Sequence, residues 1–193
     1  MRDALSFIFR TLLDLYIITF VLRLILQWVR ADFRNPLTQF VLRVTNPLVI
    51  PARRLIPPVG HLDTATLVVV LLLELLMTVV MINLACLGSA GIGQIVFLTI
   101  LRVIFLTLRI YFFIILIYVI LSWITPGTYN PAVNLLASIA DPVLRPLRRV
   151  IPTIAGLDLS ALFAIIGLQA FTMILPVRQA MSGLTCTSIG QLF

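Results

Sequence analysis

Long apolar runs alternate with shorter segments of mixed polarity along this chain. The four apolar runs cover about residues 4–29, 64–86, 95–124 and 159–176. The first has about 26 residues, or roughly 39 Å of helix at 1.5 Å per residue, which is enough to cross a bilayer with some tilt. The pattern therefore predicts an all-α membrane protein with four spanning helices.

A shorter amphipathic segment follows the first apolar run. It opens with Asn35-Pro36, the residues preferred as helix N-cap and as first helical residue. Apolar residues then recur at helical spacing and polar residues fill the opposite side. The apolar positions are Leu37, Phe40, Val41 and Val44, and the polar positions are Thr38, Gln39 and Arg43. The segment is too short to span, so we expect a helix lying in the membrane interface.

Closely spaced prolines follow the amphipathic segment. They are Pro47, Pro51 and Pro57 and, later in the chain, Pro142, Pro146 and Pro152. Proline lacks an N–H and disfavours helix in the residue before it, so we expect short helical turns or extended pieces here. Asp63 and Asp158 precede the next apolar runs and are predicted to be their N-caps.

This arrangement occurs twice in the chain, at a constant offset of 95 residues. The matched positions include Trp28 and Trp123, Asn35-Pro36 and Asn130-Pro131, Arg53-Arg54 and Arg148-Arg149, and Asp63 and Asp158. We therefore predict a first repeat over residues 1–90, a second over 91–181, and a tail over 182–193. Each repeat holds two spans, one amphipathic helix and one Pro/Arg loop.

Composition supports the membrane assignment. The chain is 61% hydrophobic and only 11% charged, against about 25% charged residues in a soluble domain. Its net charge of +7 comes from arginine alone. In a membrane protein this balance indicates cytoplasmic loops and anionic headgroups rather than nucleic acid. Two cysteines and one histidine form no metal-ligand spacing, so we expect no metal and no cofactor.

Arginine distribution predicts the orientation. The segments 30–63 and 124–158 hold eight arginines, whereas the other side has Arg2 and Arg178. Because arginine is enriched in cytoplasmic loops, we expect both repeated loops in the cytoplasm and both termini on the opposite side. The two repeats are then parallel, related by a pseudo-two-fold axis along the membrane normal. Cys86 and Cys186 share the non-cytoplasmic side, either as a disulfide or as two unpaired thiols.

The repeated motif resembles that of the YggT family of bacterial membrane proteins. It reads Asn-Pro, [Asn/Asp]-Pro, Pro-x-Arg-Arg-[Leu/Val]-Ile-Pro and Leu-Asp in order, and the stretch beginning at Ala31 looks like the proteobacterial two-repeat branch. The matching positions are Asn35, Pro36, Pro47, Pro51, Arg53, Arg54, Pro57 and Asp63, and Asn130, Pro131, Pro142, Pro146, Arg148, Arg149, Pro152 and Asp158.

What the resemblance implies is a location more than an activity. It implies a bacterial inner-membrane protein without established catalytic residues. Chloroplast relatives are associated with cytochrome b6 biogenesis and with nucleoid or plastid organisation. Bacterial members are associated with division-gene neighbourhoods and with ion or osmotic tolerance.

The arginines of the repeated loops are the first candidate site. Guanidinium groups on a proline-fixed interfacial element are suited to lipid phosphates or to an acidic partner. The alternative is that they only anchor the loops and set orientation. The candidate binding residues are Arg43, Arg53, Arg54, Arg145, Arg148 and Arg149.

Polar residues inside the apolar runs are the second candidate site. Glu74 lies about ten residues into the second run, and its repeat-mate is Gln169. With Arg23, these residues could line an intramembrane polar path, since a charge at membrane depth is costly unless paired or solvated. The alternative is structural: Glu74 pairs with Arg23, and Asp14 pairs with Arg10 or Arg109.

Taken together, the sequence favours a non-enzymatic assembly or organising factor. Its Pro/Arg loops would dock anionic lipid, or a membrane or cytoplasmic protein partner, without contacting nucleic acid directly. The alternative is an ion- or osmolyte-handling protein that uses Glu74 and Gln169. No nucleophile–base set is visible, so we do not predict an enzyme. The sequence is also compatible with a homo-oligomer.

Overall fold

The structure is a computed structural model that describes residues 2–58, 63–87, 90–124, 130–150, 159–176, 180 and 185–186. This part of the chain forms six helices and one short strand pair. The helices are α1 (Arg2–Trp28), α2 (Pro36–Leu55), α3 (Thr64–Ala85), α4 (Ile92–Ile124), α5 (Pro131–Val150) and α6 (Leu159–Ile174), and the strands are β1 (Cys86–Leu87) and β2 (Thr185–Cys186). They match the four apolar runs and the two amphipathic segments, so the all-helical prediction is confirmed.

The helices form two three-helix units that follow the repeats. Helices α1, α2 and α3 pack on one another, and so do α4, α5 and α6. The units meet where α3 packs along α4, and α1 also touches α4. The bounds of α2 and α5 differ by the repeat offset at both ends. The duplicated segments therefore adopt the same local structure.

The proline-spaced segments are helical, which corrects the sequence prediction. Pro47 and Pro51 lie inside the 20-residue helix α2, and Pro142 and Pro146 lie inside α5. Each internal proline removes one N–H bond to the carbonyl four residues earlier. All four prolines are exposed, so the freed carbonyls lie toward the outside of the bundle rather than in its core. The expectation of short helical turns or extended pieces is wrong at these four prolines, because packing of the buried side of each helix outweighs the lost bonds. Pro57, in contrast, lies beyond the end of α2, after the extended Ile56.

The predicted helix starts are confirmed where the structure describes them. The Asn35 side-chain oxygen accepts from the Leu37 N–H at 2.9 Å, and that of Asn130 accepts from the Ala132 N–H at 2.9 Å. Asp63 caps α3, because its side-chain oxygen accepts from the Thr66 N–H at 3.4 Å. Its mate Asp158 lies outside the described residues, as does Pro152.

Most of the core lies between α1, α3 and α4. Its largest buried side chains include Phe20 of α1, Met77 of α3 and Leu98 of α4. A smaller core joins α4, α5 and α6 around Ile115 and Leu144. Helix α4 contributes to both cores and therefore holds the two units together.

The outward surfaces of the helices are strongly apolar. Within the described residues, Thr64–Asn83 and Ile92–Ser122 are long and apolar enough to cross a membrane, and α6 is a shorter apolar helix. Large apolar side chains such as Phe97 and Ile117 of α4, and Phe163 and Phe171 of α6, are about half exposed or more. A bundle with so much exposed apolar area is suited to a lipid environment.

Two short stretches after residue 176 contact the region where α3 ends and α4 begins. Strand β2 pairs antiparallel with β1, which places Cys186 directly opposite Cys86. The Gln94 side chain also donates to the Ala180 carbonyl at 2.8 Å. Residues 180 and 185–186 are thereby tied to the region between α3 and α4.

Candidate functional site

A buried ion cluster stands at the end of the bundle where α1, α2 and α3 meet. The Asp63 carboxylate is only 5% exposed. It receives hydrogen bonds from Arg53 at 2.5 Å, from the Thr66 hydroxyl at 2.5 Å and from Gln27 at 3.2 Å. One carboxylate thus connects all three helices of the first unit.

The hydrogen bonds decide the protonation state of Asp63. Burial by itself raises the pKa of this carboxyl, but the bonds from Arg53, Thr66 and Gln27 and the charge of Arg53 outweigh it. They lower the pKa from 3.8 to about 2. Asp63 is therefore ionised at neutral pH and balances one guanidinium charge.

Arg23 belongs to this cluster and not to the predicted polar path. Its side chain is buried, and its guanidinium donates to Thr45 at 2.7 Å and to Asn46 at 2.9 Å. Its Nε lies 3.9 Å from the nearer Asp63 oxygen. The predicted Glu74–Arg23 pair is wrong, because Arg23 lies near the α2 end of α1 and Glu74 lies deep in α3.

The cluster separates the roles of the two adjacent arginines in α2. Arg53 is bound to Asp63, although 42% of its side chain is exposed. Arg54 is exposed and has no hydrogen-bond or ion-pair partner among the described residues, and the same holds for Arg43. Arg43 and Arg54 are eleven residues apart, which is three helical turns, so they lie on the same side of α2.

Helix α2 has three distinct faces. The first is buried against α1 and α3 and is formed by Thr38, Val41, Thr45 and Val49. The second is apolar and exposed, with Leu37 at 45%, Phe40 at 62% and Leu55 at 84%. The third carries Arg43 and Arg54. The prediction that Thr38 lies on the polar side is therefore wrong, because Thr38 is buried, whereas the predicted apolar positions Leu37 and Phe40 lie on the exposed apolar face.

The second repeat places its basic residues differently. The exposed Arg145 pairs with Asp141 at 2.6 Å, one turn earlier in α5. Arg148 lines a cavity of about 220 Å³ together with Asp141 and Tyr118. Arg149 is exposed, like its mate in the first repeat.

The starting ends of α2 and α5 are joined directly. The Asn35 side-chain amide donates to the Pro131 carbonyl at 2.7 Å. This bond connects the two repeats at the Asn-Pro turns that open both basic helices. The exposed arginines of the two repeats therefore lie on helices that begin side by side.

A second ion cluster lies deep between α1, α3 and α4. Glu74 is 1% exposed and accepts from Arg102 Nε at 2.9 Å. Arg102 also reaches Asp14 at 3.3 Å, and Arg10 lies 3.6 Å from Asp14. The other Glu74 oxygen, Oε1, has no hydrogen-bond partner among the described residues. The alternative prediction that Asp14 pairs with Arg10 is confirmed, and Arg102 is the partner of Glu74.

Glu74 and its mate Gln169 lie on neighbouring cavities. The cavity beside Glu74 has a volume of about 310 Å³ and the one beside Gln169 about 260 Å³. Both are lined by Phe105, Arg109 and Phe113. The two predicted polar residues are thus separated by the side chains of one helix, α4, with Arg109 between them.

Sequence reasoning missed Arg102, although position alone could have found it. Glu74 lies eleven residues before the end of α3 at Ala85, and Arg102 lies ten residues after the start of α4 at Ile92. In a helical hairpin, residues equally far from the turn lie at the same depth and are able to meet. The offset of 95 residues hides the pair, because the repeat-mate of Arg102 is Phe7.

Comparison with known proteins assigns the family. The sequence model described as CCB3/YggT matches residues 2–84 and again 97–179, two segments separated by the repeat offset. The chain belongs to the CCB3/YggT family. Two YggT repeats therefore account for nearly the whole chain, as the motif indicates.

Relatives extend over most of the chain. An uncharacterized protein of Pseudomonas aeruginosa is 43% identical over 175 residues, covering 90% of this chain and 89% of the relative. An uncharacterized protein of Vibrio alginolyticus is 42% identical, covering 86% and 90%. The uncharacterized protein YggT of Escherichia coli K12 is 34% identical, covering 89% and 88%. No solved structure matches the chain.

Proposed function

We propose that this CCB3/YggT protein is an inner-membrane organising factor that docks anionic phospholipid headgroups through α2 and α5. In this proposal α1, α3, α4 and α6 cross the membrane, α2 and α5 lie at its cytoplasmic surface, and both termini lie on the other side. The single observation that carries the proposal is the three-faced helix α2. Its buried face is fixed to the bundle, which leaves an apolar face for the lipid and a basic face for the headgroups.

The positions of the charges support this arrangement. Arg43 and Arg54 have no described partner to neutralise them, and both lie beside the exposed apolar stripe that includes Phe40. A juxtamembrane arginine gains about 1 kcal/mol from an anionic membrane surface. The bond between Asn35 and Pro131 joins the first turns of α2 and α5, which supports a common surface for the two helices and includes Arg149 in the proposal. Three such arginines give a gain of about 3 kcal/mol, which is enough to orient a docked complex.

Co-purification from native membranes tests the organising role. Wild type is compared with a variant carrying Arg43→Gln, Arg54→Gln and Arg149→Gln. The matched control is Arg145→Gln, because Asp141 already pairs with Arg145. We expect wild type and control to retain anionic phospholipid, or a protein partner together with it, and the triple variant to lose both. Equal retention by all three proteins would refute docking through these helices.

The buried charge cluster favours a second function, ion or osmolyte handling. Glu74 has an unpartnered oxygen beside a cavity, and Arg109 links that cavity to the one at Gln169. A polar path along α4 would use these groups. Ion flux into liposomes is the test: flux that Glu74→Gln abolishes would support the path, and absence of any flux through the wild type would eliminate it.

A further inference from the structure

A cavity of about 400 Å³ opens between α1, α3 and α4, at the end of the bundle where the Asp63 cluster stands. Its walls are mainly apolar and include Leu24, Val103 and Leu67. Trp28, which is 61% exposed, also lines it and marks an opening at the surface of the bundle. Ligand pockets in proteins have volumes of about 300 to 1,000 Å³, so the cavity is large enough for a ligand.

Two polar atoms at this cavity lack partners. Tyr111 lines it with a side chain that is only 7% exposed, and its buried hydroxyl has no hydrogen-bond partner among the described residues. Gln27 also lines it; its amide nitrogen donates to Asp63, but its oxygen Oε1 has no described partner. An unsatisfied buried polar atom costs about 1–3 kcal/mol. The walls of the cavity therefore hold one unpaired hydroxyl and one unpaired amide oxygen as candidate partners for a ligand.

Charge next to the cavity selects the ligand further. The guanidinium groups of Arg23 and Arg53 stand against the single carboxylate of Asp63, which leaves one surplus positive charge. Arg53 is also partly exposed, so it remains accessible to an anion. A ligand that fits has an apolar chain, a hydrogen-bond acceptor, a hydroxyl donor and one negative charge.

We propose that this cavity binds one anionic glycerophospholipid from the cytoplasmic leaflet. Its acyl chain fills the apolar part, and an ester carbonyl accepts from the Tyr111 hydroxyl. A headgroup hydroxyl donates to Gln27 Oε1, and the phosphodiester lies toward Arg53. The inference rests on the proposed membrane orientation and specifies a bound lipid distinct from the lipids contacted by Arg43, Arg54 and Arg149.

The repeat supplies a matched control for the test. Tyr16 is the repeat-mate of Tyr111, but its ring packs edge-on against Phe20 with 4.9 Å between ring centroids and does not line the cavity. The full-length protein is stripped of lipid in detergent and titrated with phosphatidylglycerol or phosphatidylcholine, with bound lipid counted by native mass spectrometry. The variants compared with wild type are Tyr111→Phe, the control Tyr16→Phe, and Val103→Trp. The last of these fills the cavity without changing its polar groups.

The expected result is one tightly held phosphatidylglycerol in wild type and in Tyr16→Phe. Tyr111→Phe should bind it about fivefold more weakly, because one hydrogen bond is lost, and Val103→Trp should not retain it. A phosphatidylglycerol with a photoreactive acyl chain should label the part of α4 that contains Val103 and Tyr111. Unchanged binding in both cavity variants, or labelling only elsewhere, would overturn the inference.

The surface variant separates this inference from the proposed function. Arg43→Gln with Arg54→Gln and Arg149→Gln should leave the single tightly bound lipid in place. If the cavity variants bind normally while this variant still loses its lipid or partner in co-purification, the cavity inference fails and docking stands. If the cavity variants lose the bound lipid while the surface variant co-purifies normally, docking fails and the cavity site stands.

Discussion

The contribution of the Asp63 ion cluster to the stability of the first three-helix unit can be tested by removing one charge. The substitution Asp63→Asn keeps a good N-cap, since asparagine caps helices as well as aspartate does. It removes the charge that Arg53 and Arg23 face. Any loss of stability therefore reports the ion cluster rather than the start of α3.

The size of the effect follows from the pKa. A decrease from 3.8 to about 2 corresponds to about 2 kcal/mol of native-state stability, at 1.36 kcal/mol per pKa unit. Asp63→Asn also leaves Arg23 buried without its carboxylate, and breaking a buried pair costs about 3–5 kcal/mol. The partial exposure of Arg53 screens its share of the interaction. We therefore expect a loss of about 2–4 kcal/mol at pH 7.

Thermal unfolding in detergent between pH 2 and pH 7 provides the assay. Because the folded-state pKa is lowered, the contribution of Asp63 is complete above the unfolded value of 3.8 and disappears as pH falls through about 2. The stability difference between wild type and variant should shrink over this range. The control Asp141→Asn removes a partly exposed carboxylate and should change stability by at most about 1 kcal/mol. The reasoning is refuted if Asp63→Asn behaves like the control, or if its deficit is the same at pH 2 as at pH 7.

Three further outcomes follow from named contacts. Arg102→Met should destabilise the fold by about 3 kcal/mol, because it leaves Glu74 buried and unpaired, and adding Glu74→Leu should recover most of the loss in thermal unfolding. Asn35→Ala should cost about 1–2 kcal/mol in the same assay, since it removes the cap of α2 and the bond between the repeats. In antiparallel strands, opposed Cα atoms are about 4.5–5.5 Å apart, a range that permits a disulfide, so peptide mapping without reductant should find Cys86 joined to Cys186. Two free thiols in protein from an oxidising compartment would contradict that outcome.

The positions of the helices and their N-caps were predictable from the sequence, because they depend on local chemistry. Asn35, Asn130 and Asp63 cap helices as expected, since capping needs only a side-chain oxygen in front of an apolar-periodic run. Adding the repeat offset of 95 residues to the bounds of α2 likewise gives the bounds of α5. These features follow from sequence order alone.

Helix faces and ion pairs were not predictable, because they depend on which helices become neighbours. The sequence pattern predicts Thr38 on the polar side of α2, yet Thr38 is fully buried against the bundle. Glu74 pairs with Arg102 across the α3–α4 interface rather than with Arg23. The continuity of α2 through Pro47 is another result of packing, since local propensity opposes it.

The central claim is that anionic headgroups bind the exposed arginines of α2 and α5. Amide hydrogen exchange of the full-length protein in nanodiscs tests it most directly, with phosphatidylcholine alone or mixed with phosphatidylglycerol. Phosphatidylglycerol should slow exchange within α2 and α5 of wild type. It should have little effect on the variant with Arg43→Gln, Arg54→Gln and Arg149→Gln. Identical exchange of wild type in the two lipids, or equal slowing in the variant, would contradict the account.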